Sequence, residues 1–125
     1  MTLRVLIVDD EPDVQLLLRV QLEGNPDVDV VGAAVDGEEA VELCRSLNPD
    51  AVIMDLLMPK MDGFQAIEVI RTELPHIGLV AHSAVGSEHT RHELERLGVA
   101  LVLKSGELRP LINALKVAAD RASGK

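Results

Sequence analysis

Five short apolar runs, rich in β-branched residues, alternate with five segments of helical periodicity. The runs cover residues 3–8, 28–35, 51–54, 77–81 and 99–103. Near-continuous apolar runs of this length suit strands buried on both faces. Parallel strands need long crossovers, and those crossovers are right-handed. The alternation therefore predicts an α/β fold with a parallel sheet and helices on both faces. A flavodoxin-like, doubly wound, five-stranded sheet of order 2-1-3-4-5 with five helices is the expected architecture.

The helical segments carry their own start and stop signals. Pro12 stands where a first helix would begin, and Gly24 where it would end. Val14, Leu17, Leu18 and Leu22 would form its buried stripe. Asp36 and Glu39 have capping-box spacing, as do Asp62 and Gln65. Ala40, Leu43, Cys44 and Leu47 supply the second inner face, and Asn48-Pro49 ends that helix. Ile67, Ile70 and Leu74 supply the third. Leu108, Leu111, Ile112 and Leu115 supply the last. The fourth helix, from a Ser87 cap to about Leu97, has only Leu94 and Leu97 as strong anchors, so it is expected to be loosely held.

A chain of 125 residues with 47% hydrophobic content suits one domain, spanning 1–125 with a core of about 3–120. No run is long enough to span a bilayer, and the N-terminus lacks a cleavage region. The lone Cys44 cannot form an internal disulfide, which fits a cytoplasmic location. A net charge of -9 argues against nucleic acid or an anionic membrane as a direct partner. One Phe, with no Trp or Tyr, leaves little for base stacking.

In a parallel sheet the strand C-termini share one edge, where ligands bind. Asp9 and Asp10 follow the first run, Asp55 the third, Ser83 the fourth and Lys104 the fifth. The expected order makes Asp9, Asp10 and Asp55 neighbours. At ~4 Å and an effective dielectric of ~20, each like-charged pair costs about 4 kcal/mol. Lys104 can relieve one charge and a divalent cation another. All-oxygen ligation suits Mg²⁺ or Mn²⁺ rather than zinc. A carboxylate beside a metal, a lysine and a hydroxyl can act as a nucleophile in phosphoryl transfer. No GxxxxGK[ST] or GxGxxG occurs, so a nucleotide donor is not expected.

The segments VLIVDDEP, VIMDLLMPKMDG, Ser83-Ala84 and LVLKS, in this order and spacing, resemble receiver domains of two-component response regulators. The match runs from residue 3 to about 120. NPDVDVVGAAVDGEEAVEL further resembles receivers of the NarL/FixJ class, whose members usually carry a C-terminal DNA-binding helix-turn-helix. The resemblance implies that Asp55 accepts a phosphoryl group from a sensor histidine kinase. It implies that Asp10, Asp55 and the Leu57 backbone carbonyl ligate Mg²⁺, with Asp9 acting directly or through water. Lys104 would pair with the phosphoryl oxygens, and Ser83 would bond the group and draw its loop inward. Leu57 and Val85 would tune the lifetime of the phosphorylated state. Pro59 and Gly63 would shape the loop presenting the Leu57 carbonyl. An output domain or partner protein would read the state, and a homodimer through the fourth-helix to fifth-helix face is a further expectation.

Three positions depart from the family pattern. Ser83 replaces the common Thr and keeps the hydroxyl, Ser105 stands where proline often follows the lysine, and Leu101 stands where an aromatic switch residue is usual. Leu101 keeps open a receiver that acts by protein–protein interaction with weak or atypical switching. A haloacid-dehalogenase-like phosphatase would place a second acid where Leu57 stands. Elsewhere, His89 and His92 read as a solvated helix face, Cys44 as inert core, and Met54, Met58 and Met61 as packing. His82 could tune access to the site or be a structural histidine.

Overall fold

The computed structural model describes residues 2–58, 60–84 and 86–124. The elements run β1 (Leu3–Val8), α1 (Pro12–Glu23), β2 (Val28–Ala34), α2 (Gly37–Leu47), β3 (Ala51–Asp55), α3 (Gly63–Glu73), β4 (Gly78–Ser83), α4 (Glu88–Leu97), β5 (Ala100–Leu103) and α5 (Leu108–Ala122). All strand pairs are parallel and the order is β2-β1-β3-β4-β5, as the alternation predicts. The expectations about Pro59 and Val85 lie outside the described residues.

Side chains alternate across a strand, and each β-residue accordingly enters one of two cores. Leu6, Val8, Val52, Met54, Leu79 and Ala81 pack under α2, α3 and α4. Val5, Ile7, Ala51, Ile53 and Val80 pack under α1 and α5. Every residue of β3 is buried, because it is the central strand and helices cover both its faces. Burying one such side chain contributes about 1.5–3 kcal/mol, so these two layers supply most of the driving force.

Two expected details change. Leu17 is 55% exposed rather than part of the inner face of α1. Leu18 and Leu22, four residues apart, already face the sheet, and Leu17 is rotated by about 100° from Leu18. At α2 only the forward bond of the expected capping box forms, with Glu39 N–H donating to Asp36 Oδ1 at 2.9 Å. At α3 both bonds of the box form between Asp62 and Gln65. As anticipated, α4 is lightly anchored and buries Leu94 alone. Strand ends also extend beyond the apolar runs. β3 includes Asp55 and β4 includes Ser83, so both belong to hydrogen-bonded strands.

Candidate functional site

The site is assembled where β1, β3, β4 and β5 end. β1 lies beside β3, which brings Asp9 and Asp10 to Asp55. One carboxylate oxygen from each of these three residues lies within 4.8 Å of the others. Asp9 and Asp55 are buried, and Asp10 is exposed. β5 lies beside β4, and Lys104 N–H donates to the Ser83 carbonyl at 2.8 Å, which fixes where the lysine leaves the sheet. Its Nζ then sits 2.9 Å from Asp9 Oδ2 and 3.5 Å from Asp55 Oδ1.

The electrostatics follow from this packing. Burial pushes the Asp55 carboxyl up to about 6, and the charges of Asp9 and Asp10 act in the same direction. Lys104 and the Leu57 N–H, 3.5 Å from Asp55 Oδ1, act against that rise without reversing it. Burial works to lower the Lys104 pKa, but its bonds and attraction to Asp9 and Asp55 outweigh burial and raise it. His82 is buried beside this pair. Burial and the Lys104 charge lower its pKa to about 4, against the pull of Asp9. A carboxylate with a raised pKa, held against two others in a cleft, is a place that gains from added positive charge.

The donor set fits a hard divalent cation. Oxygens in an octahedral shell at ~2.1 Å from one ion lie roughly 3–4 Å apart, so the three aspartate oxygens need little rearrangement to share one. No nitrogen or sulfur ligand is part of this group.

The other expected residues surround this centre. Ser83 is buried at the end of β4. Leu57 is 75% exposed at the rim. Leu101 is half-buried and packs toward the α2–α4 layer. His89 and His92 are exposed, so the solvated-face reading stands. Cys44 is fully buried, and burial pushes its thiol up to about 12, which makes it unreactive core. Met54 is core, while Met58 and Met61 pack against it.

Several supporting residues were not legible as site residues. The Gln15 amide donates to the carbonyls of Asp9 (2.7 Å) and Ala34 (2.8 Å), tying the ends of β1 and β2 together. Gly37 N–H donates to the Met61 carbonyl at 2.9 Å, and Lys60 reaches Asp36 at 3.8 Å. The loop after Asp55 is thereby held against the β2–α2 turn. Gly63 closes its other end, where a Cβ would lie 2.3 Å from the Asp55 carbonyl oxygen. The sequence marks Asp36 and Asp62 as helix caps and Gly63 as part of the loop presenting the Leu57 carbonyl, whereas nothing in it marks Gln15, Gly37 or Lys60 as supports of the site. Gly63→Ala is expected to cost about 2 kcal/mol, because the clash is with backbone and cannot be relieved by a rotamer change. Urea denaturation measures this, and a wild-type midpoint would show that the loop yields freely.

Comparison with known proteins agrees with this geometry. The family model described as "Response regulator receiver domain" matches residues 5–116. Transcriptional regulatory protein LiaR of Bacillus subtilis is 36% identical over 118 residues, covering 93% of this chain and 56% of LiaR. A protein-glutamate methylesterase/protein-glutamine glutaminase of Methanosarcina acetivorans is 39% identical over 100 residues, covering 80% of this chain and 28% of that protein. The chain thus spans about half of one relative and little over a quarter of the other. Among solved structures, the signal receiver domain of the putative response regulator NarL from Mycobacterium tuberculosis superposes with a TM-score of 0.80 at 31% identity, covering 99% of this chain and 98% of that one. A parallel 2-1-3-4-5 sheet, an aspartate cluster at its C-terminal edge and a family match over most of the length lead to one assignment: the chain belongs to the response regulator receiver domain family.

Proposed function

We propose that this chain is a single phosphoacceptor receiver domain of the NarL/FixJ class. In this reading Asp55 takes a phosphoryl group from a phosphohistidine of a sensor histidine kinase. The observation that carries it is the convergence of Asp9, Asp10, Asp55 and Lys104 at one sheet edge. An Asp55 carboxylate oxygen attacks phosphorus, the P–O bond forms, the P–N bond breaks, and its electron pair returns to the imidazole. Lys104 Nζ, already 3.5 Å from Asp55 Oδ1, faces the incoming oxygens. Ser83, on the neighbouring strand end, supplies a hydroxyl for the same group. Asp10, Asp55 and the Leu57 carbonyl would hold Mg²⁺ or Mn²⁺, with Asp9 acting directly or through water. Such a cation, when bound, supplies Lewis-acid neutralisation of the phosphoryl charge.

The chain catalyses only its own phosphorylation and dephosphorylation in this reading. Leu57 and Val85 would set the lifetime, by gating water. The kinase would approach from the cytoplasm. Leu16, Leu17 and Val20, exposed on α1 beside the site, give its helices an apolar surface to meet. Among the described residues no helix is long and apolar enough to cross a membrane. The output would be transcription through a DNA-binding domain, with homodimerisation through the α4–α5 face as a means of control. Leu101 supports a second reading, in which phosphorylation occurs but couples weakly to output and the domain acts through protein contacts. No ring stands at that position to rotate between the core and the surface.

Incubation with acetyl phosphate and Mg²⁺ tests the reading. Intact-mass spectrometry is expected to show one added phosphoryl group, absent when EDTA is present. No addition at any donor concentration, or addition that ignores EDTA, would contradict it.

A further inference from the structure

A second concave surface lies at the opposite edge of the sheet, where β4 and β5 begin. It is a groove of about 610 Å³ running from the end of α3, past the α4–β5 turn, to the C-terminal half of α5. Leu79, Ala100, Ala114 and Ala118 contribute to its lining, and Arg71 and Arg121 flank it. It lies far along the strands from Asp55 and shares no residue with the aspartate site.

Its two arginines are unusual in this chain. Arg19, Arg45, Arg96, Lys60, Lys104 and Lys116 each pair with a carboxylate. Arg4 and Arg91 donate to backbone carbonyls. The side chains of Arg71 and Arg121 do neither among the described residues, and Arg109 alone shares that condition. Among the described residues no carboxylate lines the groove, although the chain carries 21 acidic residues. Two free guanidinium groups therefore border an apolar floor on an otherwise acidic protein.

We infer that this groove docks an acidic, amphipathic segment of a partner protein. Its carboxylates would bind Arg71 and Arg121, and its aliphatic side chains would cover the alanine-rich floor. Guanidinium forks match carboxylates in a bidentate manner. Ala100, Ala114 and Ala118 are short, which lets a partner approach closely and bring its own larger side chains. Val117, 49% exposed on the same helix, extends the apolar surface. The openness of the site favours a chain segment over a small molecule. Small-ligand pockets enclose 70–90% of their ligand as a rule, whereas Arg71, Pro75, Asn113 and Val117 stand at the surface here.

The test uses the whole chain, ¹⁵N-labelled, and two short synthetic peptides with the same leucines, one flanked by glutamates and the other by lysines. The glutamate peptide is expected to shift the amides of Gly78, Gly98, Ala100 and Ala118, and the lysine peptide is not. Arg71→Glu with Arg121→Glu should weaken the glutamate peptide at least about tenfold, as expected for two lost exposed pairs, and should admit the lysine peptide. Both arginines are exposed, so the double variant should fold and accept phosphoryl groups as the wild type does. Failure of the glutamate peptide to bind, or binding that survives the charge reversal, overturns the inference. Self-association abolished by the same reversal, without peptide binding, overturns it in favour of a second copy of the chain. None of these outcomes depends on whether Asp55 is phosphorylated.

Discussion

Asp55→Asn is expected to accept no phosphoryl group and, in the absence of metal, to be more stable than the wild type at pH 7.5. The first effect follows from the proposed role of Asp55, whose carboxylate oxygen would attack phosphorus. The second follows from the site's electrostatics. Asp55 has an ordinary carboxyl value of 3.8 when unfolded and one of about 6 when folded. The folded state therefore binds its proton more tightly than the unfolded state does. Its favourable contribution is whole below about pH 4 and is lost as pH rises through 6. Roughly two pKa units amount to about 3 kcal/mol at most, which Asn would recover at pH 7.5 while still accepting the Leu57 N–H. His82 acts with the opposite sign. Its pKa falls from 6.5 to about 4 on folding, so its contribution is whole above 6.5 and is lost as pH falls toward 4. Between pH 4 and 6 the two slopes oppose each other in the wild type. Asp55→Asn should leave the His82 slope exposed, with stability rising relative to wild type across that window. Urea denaturation at stepped pH in EDTA measures this. Equal stability of variant and wild type from pH 4 to 8 would show that neither burial nor the neighbouring carboxylates penalise the charged Asp55.

The strand order and the identity of the converging residues were legible in the sequence for a common reason. Both depend on period and on position at strand ends, which a single chain displays. The five apolar runs and their crossovers leave few topologies, and 2-1-3-4-5 order makes Asp9 and Asp55 neighbours and puts Lys104 on the same edge, from which its long side chain reaches both. Sequence and structure part where one helical turn offers two apolar candidates. Leu17 and Leu18 are indistinguishable in composition, and only the placement of α1 against Ile7 and Leu111 decides between them. The supporting contacts were illegible for another reason. Gly37 matters because the Met61 backbone lies where a Cβ would be, and Gln15 because its amide spans two strands, while Gly63 shows in the sequence only as a loop former and not as closing against Asp55. Contacts set by three-dimensional proximity leave no periodic trace. The groove beside Arg71 and Arg121 leaves no trace in the sequence for the same reason, since α3 and α5 are remote in the chain.

Lys104→Met should produce the largest loss of stability among changes at the site, and added Mg²⁺ should largely reverse it. Lys104 is the only described cation near Asp9 Oδ2, and Asp9 is 1% exposed. Removing one member of a buried pair leaves the other uncompensated, at a cost of about 3 kcal/mol or more. That is a large share of the ~5–15 kcal/mol that holds a domain folded, and corresponds to a fall of roughly 10 °C in Tm. The loss should deepen as pH rises through 6, because Lys104 opposes the upward shift of Asp55 and its removal strengthens the repulsion from Asp9. In the wild type the contribution of Lys104 persists to high pH. Its folded pKa is raised above 10.5, so the contribution is whole below that value and is lost only as pH climbs through the folded one. A divalent cation among the three aspartates replaces the missing charge, so millimolar Mg²⁺ should narrow the gap between variant and wild type. The variant should also bind Mg²⁺ more tightly, since in the wild type Lys104 Nζ holds Asp9 Oδ2, an oxygen that the ion can use once the lysine is gone. On the proposed function, phosphoryl incorporation should nonetheless slow by at least about tenfold, because the ammonium that would face the transferred oxygens is gone. Calorimetric Mg²⁺ titration and thermal melts with and without the ion separate these effects. A variant equally destabilised in Mg²⁺ and EDTA would mean that Lys104 acts through packing rather than as the counter-charge of the site.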